Sequence, residues 1–498
     1  LNPQLSSANT SFDVGEQTSD RLVEMRTGGS ELRPGLATAW ETSPDGLRVT
    51  FHLRTGAAWQ SNAHFQPSRA MDADDVVFSF RRMMDHDDPF YRSANGTFPE
   101  FQILLQSSLQ AVDKVDDHTV AFTLKAPLGP LAALLSMQPM GIVSAEYAAT
   151  ALKAGHPEWL DQEPIGTGPF AFVRYVKDSQ VRFRAFPGFW GRTGGQPDRV
   201  AGVDTLVFSV TPDASVRWAR LRAGECQIAR YPNPADLAAM RADPDVTVQQ
   251  APIAALDYIG FNTARKPFDD KRVRQALVMA IDLDALVRAV YQGTGTPTAA
   301  LIPPALWGHD ASIAPYRYDP GAARRLLAEA GLPDGFSTDL WAIPVVRAYM
   351  PAGRQAAEMI QADWARIGVK ATIVTYEWGE YLKRVRSGEA SVGMLGGTWD
   401  YPDPSEEMVG FLCGAPLGVT HWCSREYDTA VRQANALTDR DARTRLYLQA
   451  QQAMREDVPI LQFADVQAYV PLSRKVHGFV LHFLGGQPFG GVSLSANP

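Results

Sequence analysis

The sequence predicts an α/β protein, and two observations along the chain support that prediction. In the first half, apolar and polar residues alternate, as at positions 47–53 after the Asp45-Gly46 turn. Such alternation is typical of half-buried strands that leave a hairpin turn. In the second half, segments with strand and helix patterns alternate over short connections. This order favours a parallel, doubly wound sheet.

The individual elements follow from the same patterns. Asp72 is placed to cap a helix whose apolar residues recur at helical spacing, and Asp270 and Asp282 are placed to cap two more. Further strands are predicted at 120–124, 172–175, 181–184, 338–343, 370–376, 391–396 and 459–470. Further helices are predicted at 356–367, 381–385 and 439–456.

Composition narrows the class of protein. The chain has 498 residues, of which 45% are hydrophobic and 20% charged, as expected for a globular protein of two or three domains. Its net charge of −8 argues against a nucleic-acid partner, which would require a basic face. No apolar run of about 18 residues, the length needed to span a bilayer, is present.

The sequence contains no recognisable catalytic or metal-binding motif. It lacks the G-x-S-x-G, H-E-x-x-H, C-x-x-C and P-loop patterns. Residues 166–171 (GTGPFA) match a relaxed dinucleotide-binding pattern, but they lead into a strand rather than a helix, so we interpret them as a turn. We therefore expect no enzyme, no cofactor and no metal, although a hydrolase using two carboxylates stays possible.

Three cysteines indicate an oxidising compartment. Cys413 and Cys423 flank a Gly/Pro-containing stretch, which favours a loop-closing disulfide over two buried free thiols. A metal site that includes His421 would have only three ligands at unfamiliar spacing. Cys226 is left without a partner in the sequence.

Several runs of residues, spread over nearly the whole chain, resemble those of one family. They lie at 2–5 (NPQL), 34–37 (PGLA), 73–80 (ADDVVFSF), 164–170 (PIGTGPF), 211–217 (TPDASVR), 231–236 (YPNPAD) and 373–384 (IVTYEWGEYLKR). In these runs the chain is similar to the extracellular solute-binding proteins, family 5, of peptide ABC importers.

The resemblance implies a fold of two lobes, of the large peptide-binding periplasmic type, that close on a ligand in the cleft between them. Lobe I would comprise residues 1–252, with an extra β-rich subdomain at about 33–170. Lobe II would comprise 253–470, and 471–498 would return to lobe I. The resemblance also implies a disulfide at Cys413 and Cys423, and a pairing of Cys226 with a cysteine upstream of Leu1.

The same resemblance implies an extracytoplasmic, monomeric receptor that captures short peptides, above all dipeptides, and delivers them to a membrane permease. Arg347 matches the family's arginine for the peptide carboxylate, and Asp400 its aspartate for the α-amino group. Both follow predicted strands, and ligands of open parallel sheets bind at the carboxyl ends of strands. The remaining predicted ligand-binding residues are Tyr349, Trp378, Trp399, Gly397, Thr398, Asn9 and Thr10.

The chain also departs from the family pattern close to Asp400. The family has tryptophan where this chain has Gly397, and glycine where it has Trp399. We therefore expect reshaped side-chain pockets. Two alternatives stay open: a carrier of haem, glutathione or another short peptide, and a secreted hydrolase that uses Asp400 with Asp403.

Overall fold

The computed structural model describes residues 1–6, 9–415, 419–484 and 487–495, with the side chain of Asn9 outside this description. Its strands are β1 (Val23–Met25), β2 (Leu32–Pro34), β3 (Ala37–Thr42), β4 (Arg48–Leu53), β5 (Leu109–Asp116), β6 (Thr119–Leu124), β7 (Phe170–Val176), β8 (Gln180–Ala185), β9 (Thr205–Ser209), β10 (Val246–Pro252), β11 (Ala255–Phe261), β12 (Gly295–Pro297), β13 (Ser337–Trp341), β14 (Lys370–Val374), β15 (Val392–Thr398), β16 (Ile460–Gln462), β17 (Ala464–Ser473), β18 (Val476–His477) and β19 (Ser493–Leu494).

The α-helices are α1 (Asn9–Gly15), α2 (Ala73–Met84), α3 (Pro89–Ser93), α4 (Pro99–Leu104), α5 (Leu131–Leu134), α6 (Ala145–Ala154), α7 (Trp159–Gln162), α8 (Ala214–Arg222), α9 (Leu237–Ala242), α10 (Lys271–Met279), α11 (Leu283–Tyr291), α12 (Pro320–Glu329), α13 (Gly353–Ala365), α14 (Trp378–Arg386), α15 (Ser405–Met408), α16 (Arg425–Ala436) and α17 (Arg440–Asp457). Among the described residues, no helix has both the length and the apolar character needed to cross a bilayer.

Antiparallel sheets dominate the first half, as predicted. One has the order β3-β4-β6-β5 and another the order β7-β8-β9. The first packs with α2 and neighbouring segments into an apolar core that draws its residues from positions 22–190, together with Tyr401. Asp72 caps α2, as expected, by accepting a hydrogen bond from the backbone N–H of Asp74.

The second half is built on a five-stranded sheet of order β14-β13-β15-β11-β16. Strands β13, β14 and β15 are parallel, as predicted, but β11 runs antiparallel to both of its neighbours. The parallel arrangement holds for the three predicted strands, whereas β11, for which no strand was predicted, makes the sheet mixed. A helix between two strands of a sheet makes those strands parallel. No helix lies between β10 and β11, so this rule does not set the direction of β11.

Two adjacent chain segments connect this sheet to the rest of the molecule. One runs from β10 into β11 and the other from β16 into β17. Strands β10 and β17 pair antiparallel over seven residues, from Val246↔Ser473 to Pro252↔Gln467. Between the sheets, the backbone N–H of Ile253 donates to the carbonyl of Val466, at 3.1 Å. The predicted strand at 459–470 is thus two strands that belong to different sheets.

Two local predictions are confirmed. One is the disulfide between Cys413 and Cys423. The other is the turn at residues 166–171, whereas the pairing of Cys226, which is half-buried and bonded to no described cysteine, stays a prediction. The glycines at 166 and 168 lie against the backbone of Thr18, and a Cβ at 166 would be 1.8 Å from the Thr18 carbonyl oxygen. The G-x-G pattern therefore serves backbone packing ahead of β7.

Candidate functional site

The predicted ligand residues cluster where two parallel strands end side by side. Strand β13 ends at Trp341 and leads to Arg347 and Tyr349, while β15 ends at Thr398 and leads to Asp400. Since β13 and β15 are direct neighbours in the sheet, both segments emerge at the same edge. This edge is where ligands bind in open α/β sheets.

Arg347 lies among aromatic side chains without an acidic partner. Its guanidinium donates a hydrogen bond to the Tyr349 hydroxyl and lies 5.2 Å from the centre of the Trp378 ring. In the described part of the chain, no carboxylate comes within ion-pair distance of Arg347. The Tyr349 ring in turn packs over Gly396, where a Cβ would lie 2.8 Å from the ring. The structure thus brings Arg347, Tyr349 and Trp378 together, as predicted.

Asp400 is held by its backbone, which leaves its carboxylate unpartnered. Its N–H donates to both carboxylate oxygens of Glu406 at 2.9 Å, and the N–H of Tyr401 donates to one of them at 3.0 Å. Among the described side chains, none donates a hydrogen bond to the Asp400 carboxylate or forms an ion pair with it. The acceptor capacity of the Asp400 carboxylate is therefore unused within the described structure.

Neighbouring acids give this site an unusual charge state. Burial, and then the charges of Glu100 and Glu407, raise the pKa of Asp400 to about 7. Burial also raises the pKa of Glu407 to about 7. The pKa of Glu406 is raised as well, by burial and then by Asp400 and Glu407. Since an unpaired buried carboxylate is costly, these groups favour either a proton or a bound cation.

Sequence reasoning missed these three glutamates. Glu406 and Glu407 follow Asp400 closely, and their adjacency in the sequence was the available signal. Glu100, on α4, belongs to the first half of the chain and approaches Asp400 only through the fold. The side chain of Tyr401 also packs into the core of the first half. The loop that carries Asp400 therefore contacts both halves.

A buried ion pair anchors this loop. Arg443 donates to the two oxygens of Asp403 at 2.7 and 2.8 Å and to the Tyr447 hydroxyl at 2.9 Å. The indole of Trp307 donates to the carbonyl of Pro402 at 3.0 Å. Because both Asp403 oxygens are bound to Arg443, this aspartate is not available as the second carboxylate of a hydrolytic pair with Asp400.

The other predicted site residues differ in their surroundings. A Cβ on Gly397 would lie 2.6 Å from a carboxylate oxygen of Glu407, so Gly397 gives that carboxylate room. Thr398 is half-buried at the end of β15, whereas Trp399 is fully buried in an apolar cluster. The indole N–H of Trp399 has no hydrogen-bond partner.

The two predicted residues near the N-terminus are not joined to this group. Thr10 is exposed and lines a different cavity of about 1610 Å³, which β7, β8 and β9 border in the first half of the chain. The lining of that cavity includes neither Arg347 nor Asp400. Asn9 begins α1, and its side chain lies outside the described residues.

Comparison with known proteins assigns the chain to a family. Residues 31–417 match the bacterial extracellular solute-binding proteins, family 5. The chain is 45% identical over 500 residues to the dipeptide-binding protein of Escherichia coli K12, covering 99% of this chain and 92% of that protein. It is 42% identical over 500 residues to heme-binding protein A of Haemophilus influenzae, covering 99% of this chain and 90% of that protein.

A solved structure agrees with this assignment. The dipeptide-binding protein from Pseudoalteromonas sp. SM9913, in complex with Met-Leu, superposes with a TM-score of 0.80 at 31% identity. The match covers 99% of this chain and 97% of that one. The chain therefore belongs to the bacterial extracellular solute-binding proteins, family 5, and it has the periplasmic-binding-protein fold predicted from the sequence.

Proposed function

We propose that this protein is a periplasmic receptor that captures short peptides, above all dipeptides, and delivers them to an ABC permease. The single observation that carries the proposal is the pair of opposite charges at adjacent strand ends, Arg347 and Asp400, neither of which has a counter-ion among the described residues. A free dipeptide is a zwitterion and presents one charge to each. The relatives named for dipeptide binding support the same ligand class.

Each end of the peptide would meet a group suited to it. Arg347 offers a planar fork of donors that can bind a carboxylate through two hydrogen bonds. Asp400, when ionised, only accepts hydrogen bonds and so complements an ammonium. Tyr349 and Trp378 flank Arg347 and supply apolar surface for side chains. Gly397 and Thr398 would provide backbone along the ligand.

The ligand would be enclosed between two lobes. We propose lobe I at 1–252 with a subdomain at about 33–170, lobe II at 253–470, and a C-terminal return at 471–498. Support comes from two apolar cores, one drawn from residues 22–190 with Tyr401 as its one member from lobe II, and another drawn from 255–466. The proximity of Glu100 and Asp400 is consistent with closure of a cleft over the site.

One alternative ligand has a specific observation in its favour. A relative at 42% identity is named a heme-binding protein, so the same fold could carry haem here. The opposite charges of the half-buried Arg347 and Asp400 instead favour a ligand with a cationic and an anionic end. Titration with haem, followed by its absorbance, separates this alternative from the peptide receptor.

Calorimetric titration with Ala-Ala tests the proposal, using protein that has been unfolded and refolded to remove retained cargo. We expect saturable binding of one peptide per chain, and mass spectrometry should recover the peptide intact. Absence of binding by any free dipeptide would contradict a peptide receptor. Cleavage of the peptide would instead indicate the hydrolase.

A further inference from the structure

Glu407 occupies space beside β15 that only a glycine at position 397 leaves open. Its carboxylate oxygen lies where a Cβ on Gly397 would come within 2.6 Å. A side chain at position 397 would fill this space, so glycine there leaves room for a carboxylate. The adjacent residues of β15 and β11 form the floor of this space, since Gly397 pairs directly with Leu256.

Glu407 has no counter-ion in the described structure. It is half-buried, and among the described residues none forms a hydrogen bond or an ion pair with its carboxylate. Glu406 lies next to it and accepts two backbone N–H groups instead of a cation. Within the described ranges, no group of three or more His, Cys, Asp or Glu side chains is arranged to hold a metal ion. Any counter-ion of Glu407 would therefore have to come with a bound ligand.

A second observation independent of the carboxylates points to a ligand at this place. Tyr258 is only 8% exposed, and its hydroxyl has no hydrogen-bond partner among the described residues. It shares a sheet face with Gly397, because the register pairs Leu256 with Gly397 and Tyr258 with Leu395. Burial, and then the charge of Glu407, raise the pKa of Tyr258, while the charge of Arg386 lowers it. An aromatic ring with a free hydroxyl beside a carboxylate suits a long cationic side chain.

We propose that this pocket, formed by Glu407, Gly397 and Tyr258, binds a lysine or arginine side chain of the captured peptide, with Glu407 as its counter-ion. The inference rests on the proposed function, because the peptide termini are held by Arg347 and Asp400. The receptor would then select basic dipeptides over neutral ones. The peptide ammonium would neutralise Asp400, and the basic side chain would neutralise Glu407. The repulsion between these two carboxylates would then fall, which adds to the preference for basic dipeptides.

The test compares lysine with norleucine, an uncharged residue of similar shape, at each position of a dipeptide with alanine. By calorimetry at pH 7.5, Lys-Ala or Ala-Lys should bind at least about 30-fold more tightly than its norleucine counterpart. Glu407→Gln should reduce this ratio to below about 3-fold, whereas the exposed Glu456→Gln should leave it unchanged. Gly397→Ala should also reduce it, because the added methyl group displaces the Glu407 carboxylate.

Two results would overturn the inference while the proposed function stands. One is equal affinity for lysine and norleucine peptides in a wild-type protein that does bind Ala-Ala. The other is a preference for lysine that survives Glu407→Gln in a variant whose thermal unfolding shows it to be folded. Failure of every dipeptide, with or without lysine, would contradict the receptor function itself.

Discussion

At the scale of single residues, the electrostatics of the site are dominated by four carboxylates that have no counter-ion in the described part of the chain. Asp400 lies just before α15, which carries Glu406 and Glu407, and Glu100 lies on α4. Burial and mutual repulsion oppose the ionised forms of these groups. A cationic ligand removes both penalties, so binding energy and pH sensitivity have the same origin.

Asp400→Asn should stabilise the unliganded protein, and more so at higher pH. The folded pKa of Asp400 is about 7, above its ordinary value of 3.8. Between these values the folded state keeps a proton that the unfolded chain has released, so the stability contributed by Asp400 falls as pH rises. The difference in free energy of unfolding between variant and wild type should therefore grow from pH 4.5 to pH 7.5. Urea unfolding at the two pH values measures it.

The exposed Asp334→Asn substitution serves as the control, and its effect should not change with pH in this way. A gain from Asp400→Asn that stays constant or shrinks as pH rises would show that the carboxyl is not protonated in the folded protein at neutral pH.

The residues that sequence could and could not predict differ in how far apart they lie in the chain. Arg347 and Asp400 each follow a strand pattern and match a family motif, so both were predicted. The role of Glu407 depends on Gly397 opposite it, and that of Glu100 on a contact across some 300 positions. No local pattern carries such information.

At the scale of elements, the loop at 400–408 and its anchor decide whether the site keeps its shape. Arg443, on α17, fixes Asp403 in the middle of this loop, and both side chains are almost fully buried. The ion pair therefore positions Asp400 and Glu407 without contacting the ligand itself.

Arg443→Met should destabilise the protein because it leaves the Asp403 carboxylate buried and unpaired. We expect a loss of about 3–5 kcal/mol in the free energy of unfolding. The double variant Arg443→Met with Asp403→Leu should lose less than the single variant, since no charge is then stranded. Urea unfolding of both variants measures this, and a double variant whose losses simply add would contradict an interaction between the two residues.

An element can be predicted from the sequence when it depends only on residues that are close together in the chain. The helix caps can be recognised in the sequence, because each cap is a contact within a few residues. They are Asp72, Asp270, Asp282 and Asp439. The direction of β11 and the division of 459–470 into β16 and β17 cannot be recognised in this way. Both depend on how the chain passes between sheets.

At the scale of the whole molecule, the cleft that we propose would open and close through bending of the two connections β10–β11 and β16–β17. They lie side by side and are tied by the Ile253–Val466 hydrogen bond. A ligand that contacts both sides favours the closed form by its difference in affinity for the two forms.

Small-angle scattering should therefore give a smaller radius of gyration when peptide is saturating. The Asp400→Ala variant, which should bind weakly, supplies the control at the same peptide concentration. An unchanged radius in wild-type protein, with binding confirmed by calorimetry, would contradict closure on the ligand.

The central claim is that Asp400 and Arg347 bind the two charged ends of one peptide. The most direct measurement is calorimetry of Ala-Ala in four forms: free, N-acetylated, C-amidated, and modified at both ends. Removing one charge of the ligand or its partner should cost about 2–5 kcal/mol, which is about 30-fold or more in affinity. Asp400→Ala should weaken binding of the free peptide severely but hardly affect binding of the N-acetylated form. Arg347→Ala should likewise weaken binding of the free peptide but hardly affect binding of the C-amidated form. If N-acetyl-Ala-Ala binds the wild-type protein as tightly as free Ala-Ala, the role assigned to Asp400 is contradicted.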